Sequence, residues 1–309
     1  RLIEKAKIEK VKLLSITDQR RLHVGIAANI SGYTSNNDRE LKHVAGIIEK
    51  NLHERGYATT MLDFNNVQQT FDDLQYADID IVFNITEGIN NGDRLKPQAA
   101  GILETLHLPY TGTDSLNLAL CRDKIRVKKF LSYHNIPTPK WDSAYTLNDK
   151  ISEDLKYPLI VKPSNTDNSV GISHRSVVRN KEQLKKQLKY VIRDLGRPAL
   201  VEEYIDGDEY YISILGSQDD DVKVLPLARR SFRNMGNKRW KIFTDDKSKT
   251  SVHTIVKKMS PKLEALITEI ALDTYKVMQC RDYGSVEIRV DKDDNPYVLE
   301  LNPNPILHP

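Results

Sequence analysis

The sequence predicts an α/β layer built on a parallel sheet, followed by segments of the α+β class. In the first 120 residues, strand-like runs alternate with helical patterns, as they do in strand–helix–strand units. Those runs are apolar almost throughout, which is typical of parallel strands buried on both faces. Beyond about residue 120, helices and pairs of strands follow one another without this alternation, which favours α+β segments.

The first part supplies the α/β elements in order. Residues 22–29 (LHVGIAAN) read as a buried strand, and apolar residues recur at helical spacing from Leu41 to Leu52, up to Gly56. The further elements predicted in this part are strands over 58–64 and 79–85, a helix over 97–107 and a short strand beginning at Pro109.

The second part combines helices with strand pairs. Helices are predicted over 123–134 and 181–193, and Ser260 followed by Pro261 marks the start of a helix that runs to Gln279. Residues 229–253 are a long polar stretch in which no strand is predicted. The predicted strands are 158–161, 199–203, 210–215, 222–227, 283–290 and 296–301, the last two joined as a hairpin by the polar turn 291–295.

Composition excludes several classes of protein. The 309 residues carry 46 basic and 43 acidic side chains, and a net charge of +3 is too balanced for a dedicated nucleic-acid binder. No apolar run approaches the roughly 20 residues that cross a membrane, and residues 1–21 lack the apolar core of a signal peptide. Cys121 and Cys280 lie far apart in no metal-binding spacing, so we expect buried thiols in a reducing cytoplasm. The chain begins with Arg1, which is compatible with a fragment of a longer protein.

Oxygen-bearing side chains on the last two predicted strands form the most informative pattern. Glu300 and Asn302 share one strand face because strand side chains alternate, and an antiparallel partner can place Glu287 opposite them. Two carboxylates and an amide between apolar neighbours suit a hard cation such as Mg²⁺. Taken alone, this pattern favours an ordinary solvated hairpin face.

Two other patterns suit a nucleotide. Lys162 ends an apolar strand and precedes the loop 164–171, whose small polar groups can close over phosphates, although a plain surface loop is about as compatible. The hairpin 200–209 (LVEEYIDGDE) can pair its backbone with an adenine edge, with Tyr204 beside it and Glu209 on the ribose. By itself this segment indicates only a hairpin.

Together and in this order, these motifs resemble the ATP-grasp superfamily, and within it the D-alanine–D-alanine ligases and related carboxylate–amine ligases. The resemblance covers residues 22–305 and rests on the motifs RDK (122–124), VKP with SVG (161–163 and 169–171), VEEYIDGDE (201–209), ELN (300–302), and QAAGILE followed by LPYTG (98–104 and 108–112). It implies an ATP-grasp fold with an N-terminal extension (1–21), an N-terminal α/β substrate domain (22–120), a central lid domain (121–209) and a C-terminal α+β domain (210–309).

The resemblance also implies the cofactors and the residues that bind them. The cofactors would be ATP and two Mg²⁺ ions, with Mn²⁺ as an alternative metal. The residues on the phosphates would be Lys124, Lys162, Asn168 and Ser169, with Ser169 and Lys241 acting at the reacting phosphoryl group. The residues on adenine and ribose would be Glu202, Glu203, Tyr204, Ile205 and Glu209. The metal ligands would be Glu287, Glu300 and Asn302.

The activity that the resemblance implies is an ATP-dependent, ADP-forming ligation. A carboxylate attacks the γ-phosphoryl group to give an acyl phosphate and ADP, and an amine then displaces phosphate. The expected partners are a small carboxylate, such as an amino acid, and a small amine, with no nucleic acid and no membrane. Many relatives of this type are dimers through their first domain, so a homodimer is compatible with the resemblance. Two alternatives stay open: an ATP-grasp phosphotransferase and a non-catalytic ATP-binding module.

The sequence departs from those ligases on the amino-acid side. Residues 29–35 lack their Gly-Gly-x-Ser-x-Glu pattern, and Glu87 stands near their His-Gly pair, where it either grips an acceptor amine or only begins a helix. Ser285 takes the place of the arginine that steadies the reacting carboxylate, and Arg289, on the same strand face as Glu287, could replace it. On that hypothesis, Arg289→Ala abolishes turnover and spares nucleotide binding. These departures argue against assigning D-alanine as the substrate.

Overall fold

The computed structural model describes residues 14–32, 36–90, 92–166, 169–217, 222–232, 240–242 and 251–305. Within these ranges the chain forms two compact units, one ending at Thr111 and one running from Gly112 to Pro305. The first unit contains one sheet and the second contains two. The helices in the described ranges are all too short or too polar to cross a membrane.

The first unit is a parallel three-stranded sheet with β1 in the middle, in the order β2-β1-β3. Ile26 and Ala27, neighbours on β1, enter core clusters on opposite faces of the sheet, which explains why the strands read as apolar runs. Tyr110 pairs in parallel with Val82 through an isolated bridge, where a short strand was expected. The elements are α1 (Ile16–Gln19), β1 (His23–Ala28), α2 (Asn36–Glu54), β2 (Ala58–Asp63), α3 (Val67–Tyr76), β3 (Ile81–Asn84) and α4 (Lys96–Thr105).

The second unit contains two antiparallel sheets. We call the four-stranded sheet β4-β7-β5-β6 the small sheet, and the sheet β11-β10-β8-β12-β13, with β9 beside β8, the large sheet. The longest helix of this unit, α8, packs Ala271 and Tyr275 into one core with Ile212 and Val286 of the large sheet. The helices are α5 (Ser115–Arg122), α6 (Lys124–Tyr133), α7 (Lys181–Lys189) and α8 (Pro261–Val277). The strands are β4 (Trp141–Ala144), β5 (Leu159–Pro163), β6 (Val177–Val178), β7 (Ala199–Glu203), β8 (Gly207–Leu215), β9 (Lys223–Val224), β10 (Ala228–Phe232), β11 (Ser251–Ile255), β12 (Tyr283–Asp291) and β13 (Pro296–Asn302).

Two expectations about this unit are corrected. The single helix expected over 123–134 begins one residue later, because the Asp123 carboxylate accepts the backbone N–H groups of Ile125 and Arg126 and caps α6. The polar stretch 229–253 is not free of strands, since its two ends form β10 and β11, paired in antiparallel register. These strands carry few apolar residues, because part of their surface faces the charged site described below.

The unit boundaries differ from the domain limits expected from the sequence. The first unit ends at Thr111, before the limit expected between residues 120 and 121. The strand β8 runs without interruption from Gly207 to Leu215, across the limit expected between residues 209 and 210. We therefore propose that the central segment ends before Gly207.

The start of β8 lies so close to β12 that a side chain does not fit there. A Cβ atom on Gly207 would lie 1.8 Å from the Val290 carbonyl oxygen and 3.1 Å from the Asp291 Cα atom. Both are backbone atoms of a paired strand, so the two strands would have to separate. We expect Gly207→Ala to lower the free energy of unfolding by roughly 1–3 kcal/mol, measured by urea denaturation.

A matched control for this substitution lies on α2. A Cβ atom on the exposed Gly46 meets no atom within 4 Å, so Gly46→Ala should leave the protein as stable or raise its stability by roughly 0.5–1 kcal/mol. An unchanged urea midpoint for Gly207→Ala would contradict the close approach of β8 and β12.

Candidate active site

The large sheet brings charged side chains from several strands onto one face. β8 lies between β10 and β12, and the register pairs Glu209 with Arg230 on one side and with Arg289 on the other. On the far side of β12, Glu287 lies directly opposite Glu300 of β13. Residues from distant parts of the sequence therefore meet at one place, as a ligand site requires.

The three predicted metal ligands lie along the β12–β13 hairpin. Glu287 and Glu300 are direct cross-strand partners, Asn302 lies two residues farther along β13, and an irregularity in register follows Glu287. Among the described residues, no three His, Cys, Asp or Glu side chains cluster as a metal site. The predicted set instead combines two carboxylates with one amide, and this all-oxygen set fits Mg²⁺.

The two carboxylates of this hairpin differ in their ionisation. Burial raises the pKa of Glu287 above its usual value, and the charge of Arg230 only partly opposes this. Burial also acts on Glu300, but Lys124 and Lys162 outweigh it, so the pKa of Glu300 is lowered. The Lys124 Nζ atom lies 2.9 Å from Glu300 Oε1, which makes Lys124 the direct counter-ion of that carboxylate.

Arg230, which is not among the residues predicted from the sequence, joins the predicted ribose carboxylate Glu209 to the predicted metal carboxylate Glu287. Its guanidinium lies 2.5 Å from Glu209 Oε1 and 3.2 Å from Glu287 Oε1, and its side chain is 10% exposed. Burial alone would lower the pKa of Arg230, but Glu287 and Glu209 outweigh it and raise that pKa above its usual value. Only the register of β10 with β8 brings this residue into the site, and no local motif signals it.

Glu202 on β7 is enclosed by two lysines. Its carboxylate lies 2.7 Å from Lys128 Nζ and 2.6 Å from Lys162 Nζ, and the side chains of Glu202 and Lys128 are each 1% exposed. Burial raises the pKa of Glu202, but the charges of Lys128 and Lys162 outweigh it and lower the pKa to about 2. Glu202 therefore holds the predicted phosphate ligand Lys162 in place. Direct contact of its carboxylate with adenine stays a prediction.

Tyr204, one of the predicted adenine residues, packs against a second aromatic side chain. Tyr204 is buried and packs edge-on against Trp240, with 4.9 Å between ring centroids. The Lys241 backbone N–H donates to the Tyr204 hydroxyl at 3.1 Å, so the segment 240–242 lies against Tyr204. The exposed Lys241 side chain thus starts from a backbone fixed beside Tyr204. The carboxylate of Glu203, another predicted adenine residue, accepts the Lys156 N–H at 2.8 Å.

Arg289 contacts residues that are predicted to bind the nucleotide. Its guanidinium donates to the Glu209 carboxylate, to the Ile205 carbonyl at 3.3 Å and to the Lys241 carbonyl at 2.9 Å. Along β12, Glu287 lies between Arg289 and Ser285, so Arg289 is remote from the position where the resemblance places an arginine. These contacts favour a positioning role on Glu209, and replacement of the missing arginine stays a prediction.

This placement changes the outcome that we expect for Arg289→Ala. We expect the KM for ATP to rise roughly tenfold, because Glu209 loses a charged hydrogen-bond partner and Tyr204 loses the guanidinium 5.5 Å above its ring. Steady-state kinetics at saturating amine measures it. Arg229→Ala, which removes an exposed arginine paired with Asp208, is the control and should leave the KM unchanged. A lower kcat at unchanged KM would favour the sequence-based hypothesis instead.

The predicted phosphate loop, residues 164–171, is described at both ends. Lys124 Nζ donates to the Thr166 carbonyl at 2.6 Å, which ties the first end to α6. Ser169 has a left-handed backbone with φ of 57°, and its carbonyl accepts the Ile172 N–H at 2.9 Å. Asn168, a predicted ligand, lies outside the described residues.

The predicted substrate residue Glu87 belongs to the first unit. Its carboxylate lies 2.7 Å from Lys96 Nζ, and its backbone N–H donates to Asn29 Oδ1 at 2.7 Å. Asn29 directly follows β1 and Glu87 follows β3, so both residues lie at the carboxyl ends of neighbouring parallel strands. Ligands of open α/β sheets bind at such ends, which keeps Glu87 a candidate for a substrate contact.

Comparisons with known proteins agree on one family. A family model described as the C-terminus of D-Ala–D-Ala ligase matches residues 126–307. The D-alanine–D-alanine ligase of Carboxydothermus hydrogenoformans is 30% identical over 268 residues, covering 82% of this chain and 80% of that protein. An uncharacterised protein of Sinorhizobium fredii, y4sG, is 34% identical over 231 residues, covering 74% of this chain and 66% of its own length.

Solved structures extend the likeness to the fold. The D-alanine–D-alanine ligase of Bacillus anthracis in complex with ATP superposes with a TM-score of 0.72 at 24% identity, over 92% of this chain and 87% of that chain. The VanG D-Ala:D-Ser ligase of Enterococcus faecalis gives a TM-score of 0.72 at 21% identity, over 92% of this chain and 91% of that one. The predicted ATP-grasp fold, with mixed helix and sheet content, is therefore confirmed.

Proposed function

Because the chain belongs to the D-alanine–D-alanine ligase family, we propose that it is an ATP-dependent, ADP-forming ligase that joins a small carboxylate to an amine. The observation that carries this proposal is that each of the two predicted phosphate lysines pairs with a carboxylate of the site. The Lys124 Nζ atom lies 2.9 Å from the Glu300 carboxylate, and the Lys162 Nζ atom lies 2.6 Å from the Glu202 carboxylate. Two fixed ammonium groups beside an all-oxygen cation site are what a bound Mg²⁺–nucleotide needs.

The binding roles follow from this arrangement. Lys124 and Lys162 contact the ATP phosphates, Tyr204 lies against the adenine, and Glu209 accepts the ribose hydroxyls. Glu287, Glu300 and Asn302 hold Mg²⁺, for which Mn²⁺ can substitute. When bound, the metal offsets the negative charge of the phosphates and of the developing transition state. Glu209 can still accept ribose hydroxyls beside its two arginines, because each carboxylate oxygen has two acceptor positions.

The chain's own groups act on the reaction by charge and by exclusion of water. The substrate carboxylate attacks the γ-phosphorus, and the bond from that phosphorus to the β-phosphate oxygen breaks to release ADP. Lys162 and Lys241 stabilise the charge that develops on the transferred group. The loop 164–171 closes with Ser169 beside the acyl phosphate and keeps water from it. The amine then attacks the acyl carbon, and phosphate leaves.

The substrates are proposed to be amino acids. Three of the proteins named above are ligases of D-alanine or of D-alanine and D-serine, which supports a small amino acid as carboxylate donor. Glu87, in the first unit, is proposed to grip the ammonium group of one substrate. The Ser285 and Glu87 positions differ from the ligase pattern, so we propose a pair other than two D-alanines. None of these named ligases lends support to a phosphotransferase or a non-catalytic module.

The test is product analysis of Mg²⁺-ATP incubated with pooled D- and L-amino acids. We expect some pools to release ADP and phosphate in equal amounts, together with a new amide identified by mass spectrometry. Lys162→Met should lose this activity, and Lys181→Met, which removes an exposed lysine paired with Glu153, should keep it. A phosphorylated product without an amide would contradict the ligase, as would ATP binding without ADP release from any pool.

Two further parts of the proposal concern location and assembly. We propose a cytoplasmic enzyme, because ATP is available there and because Cys121 and Cys280 are both buried free thiols. We also propose a homodimer, which light scattering of the purified chain tests directly.

A further inference from the structure

Arg230 is held from three directions within the large sheet. Its NH1 group donates to Glu209 and to Glu287, and its NH2 group donates to Glu287 at 3.2 Å. Its Nε donates to His253 Nε2 at 3.0 Å, and the His253 ring stacks on Tyr211 with 5.0 Å between centroids. The guanidinium is thus a positive charge fixed in place, and it contacts Glu287, a carboxylate that the proposed function assigns to Mg²⁺.

The fixed positive charge of Arg230 has opposite effects on the two ligands of the site, because it weakens the binding of a divalent cation and strengthens the binding of the nucleotide. Arg230 repels a divalent cation at Glu287, and the repulsion is strong because both side chains are largely shielded from water. The same charge attracts a nucleotide, whose phosphates are anionic. Nucleotide charge added near Arg230 therefore cancels the repulsion that a free metal ion meets.

We propose that Arg230 is a built-in counter-ion that makes divalent-cation binding by this chain depend on bound nucleotide. This inference rests on the proposed function of Glu287 as a metal ligand. Without nucleotide, Arg230 neutralises Glu287 and keeps the cation affinity low. With nucleotide, the phosphates compensate the guanidinium, and the metal enters together with ATP. Arg230 is thus a positioning residue that couples metal binding to nucleotide binding.

The test measures the affinity of the full chain for Mn²⁺ by electron paramagnetic resonance in the absence of nucleotide. We expect Arg230→Gln, which keeps a polar side chain but removes the charge, to bind Mn²⁺ roughly tenfold more tightly than the wild type. The same variant should bind ATP more weakly, by a comparable factor. Arg229→Gln removes the neighbouring exposed arginine and should change neither affinity. If the Gln variant does not fold, Arg230→Met provides the same comparison.

The two expected changes, tighter Mn²⁺ binding and weaker ATP binding, distinguish this proposal from a merely structural role of Arg230. A damaged site would bind both ligands more weakly, so weaker or unchanged Mn²⁺ binding by both neutral variants would overturn the proposal. The gain in Mn²⁺ affinity should disappear in the double variant Arg230→Gln/Glu287→Gln, and its persistence would contradict the part given to Glu287. Failure of the wild type to bind Mg²⁺-ATP would overturn the proposed function instead, and the nucleotide-free comparison does not depend on it.

Discussion

Replacing Glu202 by glutamine is expected to lower the free energy of unfolding by roughly 3–5 kcal/mol. The Glu202 carboxylate lies between Lys128 and Lys162, 2.7 and 2.6 Å from their Nζ atoms. A glutamine is neutral, so the variant leaves two ammonium groups close together, one of them with a side chain only 1% exposed. Urea denaturation of Glu202→Gln against the wild type measures the loss.

The control for this prediction is a carboxylate whose pair is exposed. Glu153 lies 2.7 Å from Lys181, with both side chains at least 75% exposed, so Glu153→Gln should leave the urea midpoint almost unchanged. If Lys128 and Glu202 are both replaced by apolar residues, most of the stability should return, because no unpaired buried charge remains. If Glu202→Gln changes the stability as little as Glu153→Gln does, the result would contradict the buried triad of Glu202, Lys128 and Lys162.

The Glu202 carboxylate also makes the stability depend on pH, with a contribution that is lost as the pH falls. The pKa of Glu202 is about 2 in the folded chain, below its usual value of 4.5. Its contribution is therefore complete above pH 4.5 and declines as the pH falls from 4.5 through about 2. In Glu202→Gln this part of the acid dependence should be absent. Urea midpoints at several pH values between about 3 and 6 compare the two proteins.

Replacing Glu300 by glutamine is expected to lower kcat roughly 100- to 1000-fold. Glu300 has two proposed tasks, because it binds the metal and accepts Lys124 Nζ at 2.9 Å. The Glu300 side chain is 34% exposed, the Gln amide oxygen can still accept from Lys124, and Lys124 keeps its hydrogen bond to the Thr166 carbonyl, so the fold should be retained. Titration of the rate with Mg²⁺ is the measurement, and the variant should need much more metal for its half-maximal rate.

A carboxylate outside the site controls for the loss of one negative charge. Glu264 is exposed on α8, and Glu264→Gln should keep the wild-type kcat and Mg²⁺ requirement. A Glu300→Gln enzyme with a lower kcat but the wild-type Mg²⁺ requirement would remove Glu300 from the proposed metal ligands.

The elements that the sequence predicts well are those with a local signal. The β12–β13 hairpin was predicted because both strands alternate around a polar turn, and the direct pairing of Glu287 with Glu300 follows from that hairpin. The helix starting at Pro261 was predicted because Ser260 is a suitable cap, and its hydroxyl does accept the Leu263 N–H. The ordered motifs predicted the ATP-grasp fold as a whole.

The remainder depends on contacts that a linear sequence does not contain. β10 and β11 lack apolar alternation, so the strand that carries Arg230 into the site looks like part of a polar loop. Lys128 resembles an ordinary exposed helix lysine until the fold brings it against Glu202. The motif places Glu202 in the adenine hairpin, but the direction of its side chain depends on partners from α6 and β5.

The most direct test of the ligase is to follow one oxygen atom. A substrate pair identified in the amino-acid pools is used with ¹⁸O in the donor carboxylate, and the released phosphate is analysed by mass spectrometry. Attack of that carboxylate on the γ-phosphoryl group, followed by displacement by the amine, transfers one carboxylate oxygen to each phosphate. We predict one ¹⁸O atom in each phosphate, together with ADP and the amide. Unlabelled phosphate would mean that no acyl phosphate forms, and it would contradict the central claim.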